Sequence, residues 1–212
     1  MSRLWDISPP VGPGSPLFPG DTAYSQQWTA TFGPGCSVNL SAITMSPHIG
    51  AHADAPLHYA QGAATIGQVD LAPYLGPCRV VHAIACGPLV RIEHLEAFAA
   101  GLPPRLLVRT CDKAPTAWSP AFSAYAPETL DWLAARGVML VGIDSQSVDP
   151  ADSKTLASHQ RLAHHGLRVL ENLVLDEVPA GDYELIALPL KLIEADASPV
   201  RAVLRSLARE LP

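Results

Sequence analysis

Short apolar runs recur along the chain and alternate with polar segments that contain proline and glycine. Runs of about four to eight residues rich in β-branched and aliphatic side chains are typical of buried β-strands. The pattern predicts strands at residues 38–45, 79–84, 106–109, 138–143 and 183–188. The 21 prolines and 15 glycines are spread through the chain, which indicates turns between short elements and gives no sign of a domain boundary.

Two segments have the composition and spacing of short helices, at residues 91–100 and 127–136. In the second, Pro127 suits the first turn and Gly137 suits the position that ends the helix. The proline-rich first 35 residues have no clear period, and we expect them to wrap the surface as a loop. Strands that alternate irregularly with few helices favour a mixed α/β fold, with the whole chain of 212 residues forming a single domain.

Composition and charge narrow the function classes. With 48 % hydrophobic residues the chain can bury a core, and a net charge of −6 without a basic stripe argues against a nucleic-acid partner. The first residues have no apolar signal-peptide core, so we expect a cytoplasmic protein with no membrane-spanning segment. The cysteines lie far apart without Cys-x-x-Cys spacing, which disfavours a thiolate zinc site and a disulfide framework. They are Cys36, Cys78, Cys86 and Cys111.

Three histidines and one aspartate lie close together in residues 48–58. Any one of these histidines could be an ordinary surface or core residue, but the density of the group favours a metal site. Neutral imidazole and carboxylate are the ligands that zinc and similar divalent ions use in proteins. Because no cysteine is near, the set matches a catalytic site, in which one position stays open for water. The four residues are His48, His52, Asp54 and His58.

Neither a regular helix nor an extended strand brings all four side chains together. On a helix the aspartate would lie about 200° around from the preceding histidine. An extended chain would hold the two ends of the segment about 30 Å apart, at roughly 3.3 Å per residue. Convergence therefore needs a bend, and Gly50 lies between His48 and His52, where it tolerates otherwise strained backbone angles. Pro56 then interrupts regular structure before His58.

A second group of ionisable side chains lies further along the chain. His159 and Glu171 would be about 18 Å apart along an unbroken helix, so they can share a metal only if the chain turns between them. Gly166 offers that turn. His164 and His165 are better explained as a solvated helix end. The ordinary explanation is also stronger for Glu171 than for His159, because a glutamate between apolar residues can simply face water.

These residues together resemble the signature of the cyclase-like family of metal hydrolases, and within it the bacterial kynurenine formamidases. The signature is a histidine, a glycine and a histidine, then Asp-Ala-Pro and a closing histidine, which here is His58. Similar segments occur nearly from one end of the chain to the other. They are Leu4-Trp5-Asp6-Ile7-Ser8, Phe18-Pro19-Gly20-Asp21, Tyr74-Leu75-Gly76-Pro77-Cys78, Gly142-Ile143-Asp144 and Ala197-Ser198-Pro199-Val200-Arg201-Ala202.

The resemblance implies a β-rich α/β fold of the swivelling β/β/α type, usually a homodimer. It also implies hydrolysis of N-formyl-L-kynurenine, a small aromatic formamide, to L-kynurenine and formate in tryptophan degradation. The implied cofactor is Zn²⁺, two ions per subunit, with Mn²⁺ as an alternative. By the same resemblance His48, His52 and Asp54 bind the first zinc, Asp54 bridges to a second that also takes His159, and Glu171 reaches both.

The remaining roles implied by the resemblance concern proton transfer and substrate contact. His58 is the proton donor and acceptor, and an imidazole suits this because its ordinary pKa is near neutral. Phe18 stands at a position where family members usually carry a tryptophan that contacts the substrate. Ile49 and Ala51 replace the threonines expected in many members, and losing those hydroxyls would loosen hydrogen bonds around the ligands and lower metal affinity.

Two alternatives to the formamidase function stay open. One is an enzyme like isatin hydrolase that opens a cyclic amide with manganese. The other is a metal-binding or ligand-binding protein that keeps the fold without catalysis, against which His58 argues because a pure binding site has no use for a base that is not a ligand. A serine hydrolase is not supported, since the chain contains no Gly-x-Ser-x-Gly sequence.

Overall fold

The computed structural model describes residues 2–207, which contain thirteen strands and three α-helices. The strands are β1 (Leu4–Asp6), β2 (Ser25–Ala30), β3 (Leu40–Thr44), β4 (His52–Asp54), β5 (Leu75–His82), β6 (Leu89–Val90), β7 (Arg105–Arg109), β8 (Ala124–Tyr125), β9 (Leu140–Ile143), β10 (Arg168–Glu171), β11 (Gly181–Ile186), β12 (Ala197–Pro199) and β13 (Val203–Ser206). The helices are α1 (Pro56–Tyr59), α2 (Pro127–Ala134) and α3 (Ala157–His165). No helix among the described residues is long and apolar enough to cross a lipid bilayer.

Nine of the strands form one mixed sheet, in the order β1-β13-β11-β5-β7-β9-β10-β4-β12. The four central strands β5, β7, β9 and β10 are parallel, and the pairings outside them are antiparallel. Strand β4 therefore lies near one edge of the sheet, between β10 and β12. Within residues 2–207, strands β2 and β3 pair only with each other in a separate hairpin, and β6 pairs with β8.

The central strands are buried on both faces. Because successive side chains of a strand point to opposite sides of the sheet, neighbouring residues of these strands belong to two different hydrophobic clusters. One hydrophobic cluster contains Val80, Leu107, Leu140 and Leu170. The other contains Val81, Leu106, Val141 and Val169. The second cluster also includes Leu130 of α2 and Leu162 of α3, so these two helices cover that face of the sheet. The sheet is consequently a rigid support for the polar side chains at the ends of β4 and β10.

The predicted mixed, β-rich α/β fold is confirmed. Each of the five predicted strands overlaps a strand of the structure, namely β3, β5, β7, β9 and β11. The helix predicted from residue 127 is also present, with Pro127 in its first turn. It ends at Ala134, and Gly137 follows in the left-handed region with a φ of +82°.

Two expectations about local structure are wrong. Residues 91–100 form two separate 3₁₀ turns, at Ile92–His94 and Glu96–Phe98, in place of one helix. There Nδ1 of His94 accepts a hydrogen bond from the backbone N–H of Arg91 and caps the first turn, while the N–H of Leu95 bonds to the carbonyl of Ile92 in the i→i+3 pattern of a 3₁₀ turn. The first 35 residues are not all loop, since they include β1 and β2. Strand β1 forms by pairing with β13 near the other end of the chain, which no local pattern reveals.

Candidate metal centre

Strand β4 presents His52 and Asp54 on the same face of the sheet, because residues two apart in a strand point the same way. Both side chains are buried. Gly50, with a φ of +70°, turns the chain before the strand, and Nδ1 of His48 lies 3.1 Å from Oδ1 of Asp54. A Cβ at Gly50 would lie 2.6 Å from Cγ2 of Val11, so space as well as backbone angle excludes a side chain there. The bend predicted at Gly50 is present.

Strand β10 supplies the second carboxylate. Its antiparallel register with β4 sets Glu171 opposite His52, and Oε2 of Glu171 is 3.4 Å from Nε2 of His52. The other carboxylate oxygen, Oε1, accepts a hydrogen bond of 2.7 Å from the backbone N–H of Val148. Glu171 is buried, so the explanation that it simply faces water is wrong.

Helix α3 supplies a third buried histidine. Nε2 of His159 lies 3.4 Å from Oδ2 of Asp54 and 3.8 Å from Oε1 of Glu171. Asp149, which the sequence analysis did not identify, holds the ring from behind: its Oδ2 is 2.7 Å from Nδ1 of His159 and accepts the backbone N–H of the same residue. Gly166 ends α3 with a φ of +67°, so the predicted turn between His159 and Glu171 is present.

His58 lies at the exposed side of this group. Helix α1 begins at Pro56 and brings the ring of His58 to 4.4 Å from the ring of His48. A single carboxylate oxygen, Oδ2 of Asp196, is 3.0 Å from Nε2 of His48 and 3.1 Å from Nδ1 of His58. Sequence reasoning missed Asp196. Its position directly before the family-like segment that starts at Ala197 was the signal that could have found it.

The buried part of the site fits a divalent cation. Nε2 of His52 and Oδ1 of Asp54 are buried without a hydrogen-bond partner among residues 2–207, whereas buried polar atoms are nearly always satisfied. Two sets of potential ligand atoms, each within 4.8 Å of one another, share Asp54. One is His52, Asp54 and Glu171, and the other is His48, Asp54 and His58. Imidazole nitrogen and carboxylate oxygen are suitable ligands for zinc and related ions.

The electrostatics also favour bound positive charge. Burial by itself lowers the pKa of His52, but Asp54 and Glu171 outweigh it and raise the pKa to about 10. Burial likewise opposes protonation of His159, whose pKa Asp149 and Asp54 raise to about 10. Burial raises the pKa of Asp54, yet the surrounding histidines, His159 first, hold it well below its usual range. The buried carboxylate of Asp54 is therefore anionic and attracts protons or a metal cation.

A cavity of about 420 Å³ opens over these groups, within the usual size range of small-molecule sites. Its lining includes His48, His58 and His159, and also Leu17 and Phe18 of the N-terminal loop. The ring of Phe18 packs edge-on against Trp118 with centroids 5.9 Å apart. The cavity lining thus combines imidazole groups with the apolar side chains of Leu17 and Phe18.

Residues 5–150, more than half of the chain, match the model of the family described as putative cyclase. The chain belongs to this family. A kynurenine formamidase of Delftia acidovorans, similar over nearly the full length of both chains, is 68% identical over 206 residues, which are 97% of this chain and 99% of that protein. The predicted resemblance of this chain to the cyclase-like family, and within it to the kynurenine formamidases, is confirmed.

Solved structures agree with this family assignment. A potential metal-dependent hydrolase with cyclase activity has a TM-score of 0.85 at 25% identity, and covers 98% of this chain and 99% of its own. Isatin hydrolase A from Labrenzia aggregata has a TM-score of 0.78 at 21% identity, and covers 97% of this chain and 94% of its own. The second likeness shows a shared fold alone.

The structure brings all the residues predicted to be metal ligands, proton donor or substrate contact to one site. His48, His52, Asp54, His159 and Glu171 lie close together, and all of these except Asp54 line the cavity together with His58 and Phe18. His164 and His165, in contrast, lie exposed at the end of α3, as the sequence analysis favoured. The particular role of each residue stays a prediction.

Proposed function

We propose that the chain is a metal-dependent amidohydrolase that converts N-formyl-L-kynurenine and water to L-kynurenine and formate. The observation that carries the proposal is the convergence of three histidines and two carboxylates on buried polar atoms without partners, below a cavity that His58 lines. The 68% identity to a kynurenine formamidase supports the substrate class.

We assign His48, His52 and Asp54 to one Zn²⁺ ion, and Asp54 and His159 to a second, with Glu171 reaching both. The carboxylate oxygens support this division. Oδ1 of Asp54 faces His48 and His52 at 3.1 and 3.4 Å, and Oδ2 faces His159 at 3.4 Å. Glu171 is divided in the same way, with Oε2 toward His52 and Oε1 toward His159. Bound cations would supply Lewis acidity, acidifying a water molecule and polarising the formyl carbonyl.

His58 is the group we assign to proton transfer. Its Nδ1 atom is bonded to Asp196, which leaves Nε2 as the ring nitrogen available in the cavity. That nitrogen takes a proton from the attacking water and delivers it to the departing aniline nitrogen, so that the amide C–N bond breaks and formate and the free amine are released. His58 is about one-third exposed, in contrast to the buried His52 and His159.

The apolar wall of the cavity would bind the aromatic ring of the substrate. Phe18 is half exposed, and its edge contact with Trp118 keeps the ring at the cavity wall. Stacking or edge contacts between aromatic rings contribute about 0.5–1.5 kcal/mol beyond simple burial. Phenylalanine in place of the tryptophan expected from the family resemblance can still contact the ring of the substrate, and lacks only the indole N–H donor.

We also propose that the chain forms a homodimer through the β2–β3 hairpin. Large apolar side chains are exposed on it: Trp28 is 59%, Phe32 70% and Ile43 57% exposed. Residues 22–47 contain no Asp, Glu, Lys, Arg or His, and a charge-free apolar surface is typical of the centre of a permanent interface. An isolated two-stranded hairpin is marginally stable in water, so a second copy packed against it would stabilise it.

A comparison of substrates tests the proposed activity against its rivals. The zinc-loaded protein should turn over N-formyl-L-kynurenine with a higher kcat/KM than isatin. A higher kcat/KM for isatin would assign the chain to cyclic-amide hydrolysis. Absence of turnover with both compounds, in protein that retains its metal, would favour a binding protein without catalysis.

A further inference from the structure

We propose that Asp196 is a positioning residue that fixes the ring tautomers of His48 and His58 together. The inference rests on the proposed function, because it takes His48 as a metal ligand and His58 as the group that transfers protons. It adds a residue that neither the motif nor the buried ligand set includes.

One oxygen of Asp196 serves both rings. Oδ2 accepts a hydrogen bond from Nε2 of His48 at 3.0 Å and from Nδ1 of His58 at 3.1 Å. An ionised carboxylate can only accept hydrogen bonds, so both of these nitrogens must carry the hydrogen. In the neutral rings the lone pairs consequently lie on the opposite nitrogens, Nδ1 of His48 and Nε2 of His58.

Each of these lone pairs is in the position that the proposed role of its ring requires, metal binding for His48 and proton acceptance for His58. Nδ1 of His48 lies 3.1 Å from Oδ1 of Asp54, so its lone pair faces the buried ligand group. A carboxylate behind a metal-binding histidine fixes the tautomer and the ring orientation. Nε2 of His58 remains free to accept a proton, as in the carboxylate–histidine pairs of hydrolases, where the wrong tautomer abolishes most activity.

Backbone hydrogen bonds fix the position of Asp196 without a contribution from its side chain. Its carbonyl oxygen accepts a hydrogen bond of 2.8 Å from the N–H of Ala55, and the next residue, Ala197, pairs with Asp54 in the β12–β4 ladder. The carboxylate is thus held next to the strand that carries Asp54 and the turn that leads to His58. Its side chain is 43% exposed, so truncation leaves no buried cavity and the fold should survive.

Zinc affinity measured by competition with a chromogenic chelator tests the His48 part of the proposal. Asp196→Ala should bind zinc about 10–100-fold more weakly than the wild-type protein, as expected for the loss of a carboxylate behind a ligand histidine. Glu194→Ala is the matched control, since it removes an exposed carboxylate two residues away and should leave the affinity unchanged. Unchanged affinity in Asp196→Ala would overturn this part of the proposal.

A double-mutant cycle at saturating zinc tests the His58 part. Asp196→Ala should lower kcat about 10–100-fold with a smaller effect on KM. If Asp196 acts through His58, the double variant Asp196→Ala/His58→Ala should be no slower than His58→Ala alone. A further loss in the double variant equal to the loss in Asp196→Ala would overturn it.

Nitrogen-15 NMR of labelled histidines in the zinc-loaded protein gives a readout that does not depend on activity. In the wild-type protein the ring of His58 should carry its hydrogen on Nδ1, and in Asp196→Ala the two tautomers should mix. A wild-type ring with its hydrogen only on Nε2 would overturn the proposal. If the wild-type protein failed to hydrolyse N-formyl-L-kynurenine, the proposed function would fail, while the zinc and NMR measurements would still decide the role of Asp196.

Discussion

Glu171 lies opposite His52 in the antiparallel pairing of β10 with β4, with 3.4 Å between Oε2 and Nε2. The pairing joins a strand from the second half of the chain to the histidine motif in the first half. Strand register is fixed wherever a face of the sheet is buried, because a slip of one residue would reverse every side chain. The separation of these two groups is therefore a property of the packed sheet.

Two of the three histidines of the motif, His52 and His58, should have different effects when each is replaced by alanine. His58→Ala should keep its zinc and lose about 10²–10⁴-fold in kcat, the usual contribution of general acid–base catalysis. His52→Ala should lose activity because it loses metal. Metal content by mass spectrometry after dialysis, with the exposed His164→Ala as control, distinguishes the two. Equal zinc depletion in both variants would make His58 a ligand, a role that its proximity to His48 and Asp54 also permits.

Phe18 should contribute to substrate binding more than to the chemical step. Phe18→Ala should raise KM for N-formyl-L-kynurenine more than it lowers kcat, because a ring contact is made equally in the ground and transition states. Steady-state kinetics measure both constants. Phe98→Ala removes a phenylalanine outside the cavity lining and should leave KM unchanged. A KM for Phe18→Ala equal to the wild-type value would remove Phe18 from the substrate site.

The exposed hairpin should control the oligomeric state. Trp28→Glu should convert a dimer to a monomer in multi-angle light scattering at micromolar concentration, because it buries a charge in an apolar interface. Leu71→Glu adds the same charge at an apolar residue that is 50% exposed elsewhere, and should remain dimeric. A monomeric wild-type protein, or a Trp28→Glu variant that stays dimeric, would contradict the proposed interface.

Zinc binding should release protons and strengthen as the pH rises. In the metal-free protein the pKa of His52 is raised to about 10, so its ring is protonated at neutral pH and must lose that proton to bind a metal. The apparent affinity should therefore fall as the pH is lowered from 8 to 6. Titration calorimetry in two buffers of different ionisation enthalpy measures the released protons. Heats that are independent of the buffer would show that His52 is neutral before zinc arrives.

The part of the site that follows from chain geometry alone is local, whereas His159 and Glu171 were predicted as ligands through the family resemblance. His48, Gly50, His52 and Asp54 are close in the chain, and the need for a bend at Gly50 follows from strand and helix geometry alone. Asp196 reaches the site only because β12 pairs with β4 across the sheet. Contacts of that kind depend on tertiary packing and leave no periodic signal in the sequence.

The fold shows the same division between local and long-range information. Strand β9 is a continuous apolar run and β7 has an apolar centre at residues 106–108. Both were predicted because burial on both faces is visible in composition. Strand β1 is three residues long, with Leu4 and Asp6 exposed, and it exists only through its partner β13. In place of the helix expected at residues 91–100, the chain forms two 3₁₀ turns with i→i+3 hydrogen bonds, such as the one from the N–H of Leu95 to the carbonyl of Ile92.

The most direct test of the whole account is kynurenine release from N-formyl-L-kynurenine by protein stripped of metal and then reconstituted. Removal of metal with a chelator, verified by elemental analysis, should abolish activity, and addition of Zn²⁺ should restore it in the wild-type protein but not in His52→Ala. Full activity in protein shown to be free of metal would contradict the assignment of a metal-dependent formamidase.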